Sequence, residues 1–122
     1  MEADGLVVGT PVFYAGANGA LMAVLDRLFY AASARLRFKP AAAVASARRA
    51  GTTPAIDQIN KYFQINCMPV VSSNYWLVHG RSVEDVRQDA EGLQICVCLA
   101  RTWLGCCRRR PLRLRRTSSR RS

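Results

Sequence analysis

The sequence predicts an α/β fold: a three-layer parallel sheet of three strands, in the order βαβαβα, incomplete on its N-terminal side. Three observations predict it. Short runs of β-branched or small apolar residues alternate with stretches of helical periodicity. The helical stretches are long enough to be right-handed crossovers between parallel strands, which places helices on both faces of the sheet. The chain also enters directly on a strand, with no helix before it to cover that strand.

The elements follow in order. Leu6-Val7-Val8, bounded by Gly5 and Gly9, suits a strand buried on both faces. Residues 10–19 then read as a loop. Beyond it Leu21, Val24, Leu25, Leu28 and Phe29 fall at the offsets of one helix face, and Asn18 stands at the N-cap. Residues 41–45 contain only one β-branched side chain, Val44, and alone would pass for a helix; their place between two helices and Pro40 at the entrance predict a strand. After a loop at 46–53, Thr53-Pro54 reads as an N-cap with proline at the first helical position. Ile56, Ile59 and Phe63 give that helix its buried stripe.

Met68-Pro69-Val70-Val71 opens the third strand, with proline tolerated at the entrance. A polar and aromatic loop at 72–81 leads to Ser82-Val83-Glu84-Asp85, a capping-box pattern. The helix beyond it shows Val86, Ala90, Leu93, Val97, Ala100 and Leu104 as its apolar face. Gly92 weakens it locally by about 1 kcal/mol relative to alanine.

The chain has 122 residues, room for one domain, and half are hydrophobic, enough for a packed core. Its net charge of +10 is unevenly placed. Residues 1–107 carry ten basic and all eight acidic side chains, a balance of +2, and eight arginines in 108–122 supply the rest. The expected organisation is therefore a nearly neutral domain at 1–104 and a disordered arginine-rich tail at 105–122. The acidic N-terminus (Glu2, Asp4) does not resemble a secretory signal. No run approaches the roughly 18–20 apolar residues of a membrane helix, so no membrane partner and a cytoplasmic location are expected. Cysteines at 67, 96, 98, 106 and 107 match neither a disulfide framework nor a zinc C-x-x-C pair. They read as ordinary thiols, and no metal site is expected.

In open parallel sheets, ligands bind outside the carboxyl ends of the strands. The loops predicted there hold Phe13, Tyr14, Tyr75 and Trp76, with Gly16, Gly19, Gly51, Arg48, Arg49 and the sole histidine, His79. Aromatic planes, glycines and a pair of cations on one rim suit a flat, partly polar ring. Residue by residue, solvated arginines and aromatics packed on helix ends explain them equally well; their concentration on one edge favours the ring.

The segment Ala3-Asp4-Gly5-Leu6-Val7-Val8-Gly9-Thr10-Pro11-Val12-Phe13-Tyr14, followed by Gly19-Ala20-Leu21 and Leu25-Asp26-Arg27, resembles the NADPH-dependent FMN reductase group of flavodoxin-like proteins. Lys39-Pro40 through Arg48-Arg49, Gly51-Thr52, Asn74-Tyr75-Trp76 and Val78-His79-Gly80 continue the resemblance, which covers roughly residues 3–101. It implies a flavodoxin-like three-layer sheet and FMN held by two loops. Thr10, Pro11, Val12, Phe13 and Tyr14 would line the ring, with Asn18 and Gly19 at the helix start behind it. Ser46, Ala47, Arg48, Arg49 and Gly51 would meet its pyrimidine edge. NADPH or NADH would give a hydride to FMN, which would pass it to a small-molecule acceptor such as a quinone or flavin. No catalytic side chain is implied. His79 reads as structural rather than functional, and Asp26 and Arg27 as a helix-end or packing pair. Homo-oligomers are also implied.

Two departures qualify this. The family opens on a strand and a Ser/Gly/Asn/Thr-rich loop that wraps the FMN phosphate at a helix N-terminus. The sequence shows no counterpart, so weak FMN affinity and an exposed apolar edge on the first strand are expected. A non-catalytic truncated chain acting through association is the alternative. The arginine run after Cys106-Cys107, which lacks lysine, has the bias of GC-rich sequence translated out of frame; one continuous frame matching expressed protein would exclude that hypothesis. Whatever its origin, such a tail predicts nonspecific, salt-sensitive nucleic-acid binding, and a basic binding module is a further alternative.

Overall fold

In the computed structural model, which describes residues 3–74 and 78–109, the first strand outruns its apolar core. β1 (Leu6–Phe13) continues through Thr10, Pro11, Val12 and Phe13, where periodicity predicts a loop. The reason is the direction of one missing donor. The Leu6 N–H donates to the Pro40 carbonyl on the neighbouring chain segment, so even-numbered residues turn their amides that way. Pro11 turns its missing N–H to the open edge, where proline is tolerated. The strand then doubles back to β2 (Gly16–Ala17), pairing antiparallel with Val12 opposite Ala17 and Phe13 opposite Gly16.

β3 (Ala41–Ala47) lies parallel to β1, in register from Leu6 opposite Ala41 to Pro11 opposite Ser46. Ala41, Ala42, Ala45 and Ala47 are buried. Their small size suits a central strand that must admit packing on both faces, which explains why a run of weak β propensity is a strand here.

α1 (Gly19–Leu36) and α2 (Thr52–Ile65) supply the main core. Val8, Leu25, Leu36, Ala41, Ile59, Phe63 and Met68 form one buried cluster, and the Phe29 ring sits 5.4 Å from Tyr62 and 6.1 Å from Phe63. Ile56, Ile59 and Phe63 are buried as the stripe predicts. On α1, Leu25 is buried, and Leu21, Leu28 and Phe29 are partly covered, but Val24 is 61% exposed. Asp26 lies mid-helix and accepts the Tyr62 hydroxyl from α2 rather than pairing with Arg27 at a helix end. The cap of α2 is Gly51, not Thr53, so Pro54 falls within the first turn, where backbone N–H groups have no helical partner anyway.

The third strand differs from its prediction. Met68-Pro69-Val70-Val71 touches β3 at a single parallel bridge, Ala41 opposite Val70. The strand proper is β4 (Val78–His79), which pairs with Ser46 and Ala47 inside the stretch predicted as a loop. From Ala41 to Ala47 β3 advances six residues, whereas the chain beside it advances nine from Val70 to His79. The difference of three residues means that the two contacts do not belong to one continuous ladder. Tyr75 and Trp76 lie outside the described residues.

The last helical stretch is broken in two. α3 (Val83–Gln88) ends and α4 (Ala90–Arg108) begins at Asp89. The predicted face of α4 is also the wrong one: Leu93, Val97 and Leu104 are 41%, 45% and 54% exposed. Its covered side holds Gly92, Ile95, Cys96, Leu99 and Trp103. Trp103 lies over Gly5, where an added Cβ would come within 2.6 Å of the indole. Burial pushes the Cys96 thiol upward in pKa, with the Asp89 carboxylate adding to it, so the thiol stays protonated at neutral pH. α4 runs past residue 104, where the domain boundary is expected, and 110–122 of the arginine tail lie outside the described residues. The sheet order is β2-β1-β3-β4, three parallel strands with one antiparallel edge.

Phe63 is fully buried between α1 and the sheet. Phe63→Ala should destabilise the domain by about 3–5 kcal/mol, read as a lower urea midpoint. A loss below about 1 kcal/mol would contradict this packing.

Candidate functional site

Parallel register brings the carboxyl ends of β1, β3 and β4 to one edge of the sheet. Between them lies an open cleft of about 530 Å³, lined by Pro11, Val12 and Phe13 from β1, Ser46 and Ala47 from β3, Arg48 just after it, and Gly80 and Arg81 after β4. This volume is within the usual range for small-molecule sites.

Each wall is held by identifiable bonds. Thr10 is 5% exposed; its hydroxyl donates to the Pro11 carbonyl at 2.8 Å and accepts the Asn18 N–H at 2.9 Å. That ties the end of β1 to the start of α1, where Asn18 accepts the Leu21 N–H at 3.0 Å as the N-cap. The Ala17 N–H donates to Gln58 Oε1 of α2 at 2.8 Å. Tyr14 and Ala15, the two residues of the hairpin turn, both have positive φ (48° and 58°). Such a turn matches the twist of its strands but strains non-glycine residues by roughly 1–2 kcal/mol each. Gly51, at φ 95°, packs against this hairpin: an added Cβ would lie 2.8 Å from both Ala15 Cα and Val12 Cγ1. The second loop is thereby fastened to the first.

The third wall rests on α3 and the break at Asp89. The Gly80 N–H donates to the Ala47 carbonyl at 3.0 Å. The His79 N–H donates to Asp89 at 2.8 Å and the Arg81 N–H to Asp85 at 3.0 Å, while Ser82 Oγ accepts the Asp85 N–H at 3.2 Å. Gly80 is required there, since an added Cβ would lie 2.8 Å from the Val86 nitrogen. The N–H groups of Gly92 and then His79 hold the Asp89 carboxyl below its ordinary pKa of 3.8, because both bonds favour the ionised form.

Of the residues predicted for the site, Pro11, Val12, Phe13, Ser46, Ala47 and Arg48 meet at the cleft. Thr10, Asn18 and Gly51 are placed instead as its frame. Tyr14 projects fully into solvent at the hairpin turn. Gly19 opens α1 with nothing within 4 Å of an added Cβ, and Arg49 is exposed beside Arg48. His79 is exposed and joins Asp89 through its backbone, in keeping with a structural part. Gly80 and Arg81 line the cleft although neither is predicted for the site: they directly follow β4, which lies inside the stretch that periodicity reads as a loop.

Among the described residues no three His, Cys, Asp or Glu side chains group as a metal site, and no helix is long and apolar enough to cross a membrane. The profile of the NADPH-dependent FMN reductase family matches residues 1–82. An iron-sulfur flavoprotein of Methanocaldococcus jannaschii is 32% identical over 102 residues, covering 76% of this chain and 53% of that protein. The chain therefore spans about half the length of this relative. The crystal structure of the flavodoxin, WrbA-like protein from Agrobacterium tumefaciens matches with a TM-score of 0.60 at 14% identity, over 83% of this chain and 69% of that one. That similarity shows a flavodoxin-like fold.

A carboxyl with a depressed folded pKa contributes stability that is fully present above its unfolded value and is lost as pH falls through the folded one. Amide exchange at His79 and Gly92 should therefore quicken as pH drops below 3.8, after correction for intrinsic exchange rates. Asp89→Ala should show the faster exchange already at neutral pH and no acid response. Unchanged protection in that variant would remove Asp89 from its place as the clamp on β4.

Proposed function

Because the chain belongs to the NADPH-dependent FMN reductase family, we propose that its cleft holds the isoalloxazine ring of FMN, and that NADPH or NADH reduces it for a small-molecule acceptor such as a quinone or free flavin. One observation carries the proposal: Pro11, Val12 and Phe13 line one cleft together with Arg48, at the carboxyl ends of parallel strands.

The lining fits a flavin ring in kind. Pro11, Val12 and Phe13 offer an apolar surface against a flat ring and keep water from it. The backbone at Arg48, just beyond the paired end of β3, offers polar groups to its heteroatom edge, and the Arg48 guanidinium stabilises negative charge there. The bound flavin supplies hydride acceptance and donation; the chain's own residues bind, orient and shield it. Thr10, Asn18 and Gly51 act one step back, by holding the wall residues in place. No side chain is assigned a proton-transfer role. A cytoplasmic setting is part of the same proposal.

The outer edge of β1 favours a second element. β2 covers only Val12 and Phe13, so among the described residues the edge from Leu6 to Pro11 has no strand beside it. β1 carries no charged side chain to discourage pairing, and Val7 is 55% exposed. Such an edge supports assembly into a homo-oligomer as part of the proposal, and a monomer in sedimentation would remove that element.

Purified chain titrated with FMN should quench flavin fluorescence to saturation, and NADPH or NADH should bleach the bound flavin. Phe13→Ala should weaken FMN binding about fivefold to tenfold through lost ring contact. A folded protein that stays colourless with FMN and inert to both dinucleotides would overturn the proposal and leave association as its role.

A further inference from the structure

The cleft carries more positive charge than a flavin ring requires. Arg48 and Arg81 both line it, from different loops, and none of the other lining residues is acidic. Arg49 stands exposed beside Arg48. Among the described residues none of the three guanidinium groups has a hydrogen-bond or ion-pair partner. Of the carboxylates near Arg81 in the chain, Glu84 is exposed and makes no ion pair with it, Asp85 accepts the Arg81 backbone N–H, and Asp89 accepts the N–H groups of His79 and Gly92. The Arg81 backbone is thus fixed by Asp85, while among the described residues no carboxylate pairs with its side chain.

An unpaired guanidinium on the wall of a concave site is a receptor for an oxyanion, which it meets with two parallel N–H donors. In the flavin reading Arg48 faces the polar edge of the ring, and Arg81 has no part. We propose that Arg81 is a specificity residue that binds the anionic group of the second reactant, so that the cleft selects a planar molecule carrying a phosphate, sulfonate or carboxylate over its neutral counterpart. The identity of that molecule as a reactant rests on the flavin reading; the anion site itself does not. The oxyanion has two sources, the phosphates of the dinucleotide and an acidic group on the acceptor.

Two pairs of probes separate those sources: ADP against adenosine, and naphthoquinone sulfonate against naphthoquinone. Their dissociation constants are measured by calorimetry at low and high salt, with and without FMN, on the full chain and on two variants. Arg81→Gln keeps the backbone bond to Asp85. Arg101→Gln removes the same charge from an exposed position on α4, away from the cleft. At low salt at least one charged probe should bind the wild type about tenfold tighter than its neutral partner. Arg81→Gln should cut that preference about fivefold, Arg101→Gln should leave it intact, and high salt should compress it. Preference for ADP alone assigns the anion to the dinucleotide, and preference for the sulfonate alone to the acceptor.

No preference for either charged probe overturns the proposal. So does equal weakening in the two variants, which would mean general attraction to a basic chain. If FMN fails to bind while Arg81→Gln still lowers the preference, the flavin reading falls and the anion site stands. If FMN binds and Arg81→Gln changes nothing, the reverse holds.

Discussion

The parallel register of β1 against β3 is the constraint on which the site depends. Leu6 opposite Ala41 at one end fixes Pro11 opposite Ser46 at the other, and so places the apolar wall beside the loop that begins at Arg48. A slip of one residue would turn every side chain of β1 to the opposite face. Thr10 would then leave its buried position between Pro11 and Asn18, and Val8 would leave the core. The hydrophobic cost of exposing Val8 and the loss of the Thr10 bonds therefore hold the cleft in register. Packing energy and site geometry are here the same interaction.

The two faces of β1 are unequal. Val8 and Thr10 are buried beneath α1 and α2, while Val7, Gly9, Pro11 and Phe13 are exposed on the other side. α4 covers the region around β4 and, through Trp103, Gly5, but leaves most of that face of β1 open. At its carboxyl end the same exposure makes Pro11 and Phe13 available to a ring. Along its middle it leaves an apolar surface and a strand edge that a second chain can use.

The parts legible in the sequence were those decided locally. Asn18 is a side-chain cap at the right distance from Leu21, and Ile56, Ile59 and Phe63 share one helix face whatever surrounds them. The alanine-rich β3 was recovered from its place between helices and from Pro40, since its composition favours a helix. What remained hidden depended on partners distant in sequence. Whether Pro11 ends a strand depends on which side its missing donor faces, and that is set by β3. The mismatch of three residues between Val70 and His79 exists only relative to β3. α4 is apolar around much of its circumference, so periodicity alone could not choose between the stripe through Leu93 and Val97 and the one through Ile95, Leu99 and Trp103. For the site, residue types found much of the lining, but Thr10, Asn18 and Gly51 support the cleft rather than face it. Arg81 is not legible in the sequence because the two-residue β4 before it carries no periodicity of its own.

Whether the carboxyl edge of β1, β3 and β4 holds FMN, as proposed, is read from backbone amide resonances of the full chain during an FMN titration. Shifts should concentrate at Val12, Phe13, Ser46, Ala47, Arg48, Gly80 and Arg81, with little change along the outward face of α4. Saturable shifts confined to α4 or to the arginine tail, with the cleft amides unmoved, would contradict it.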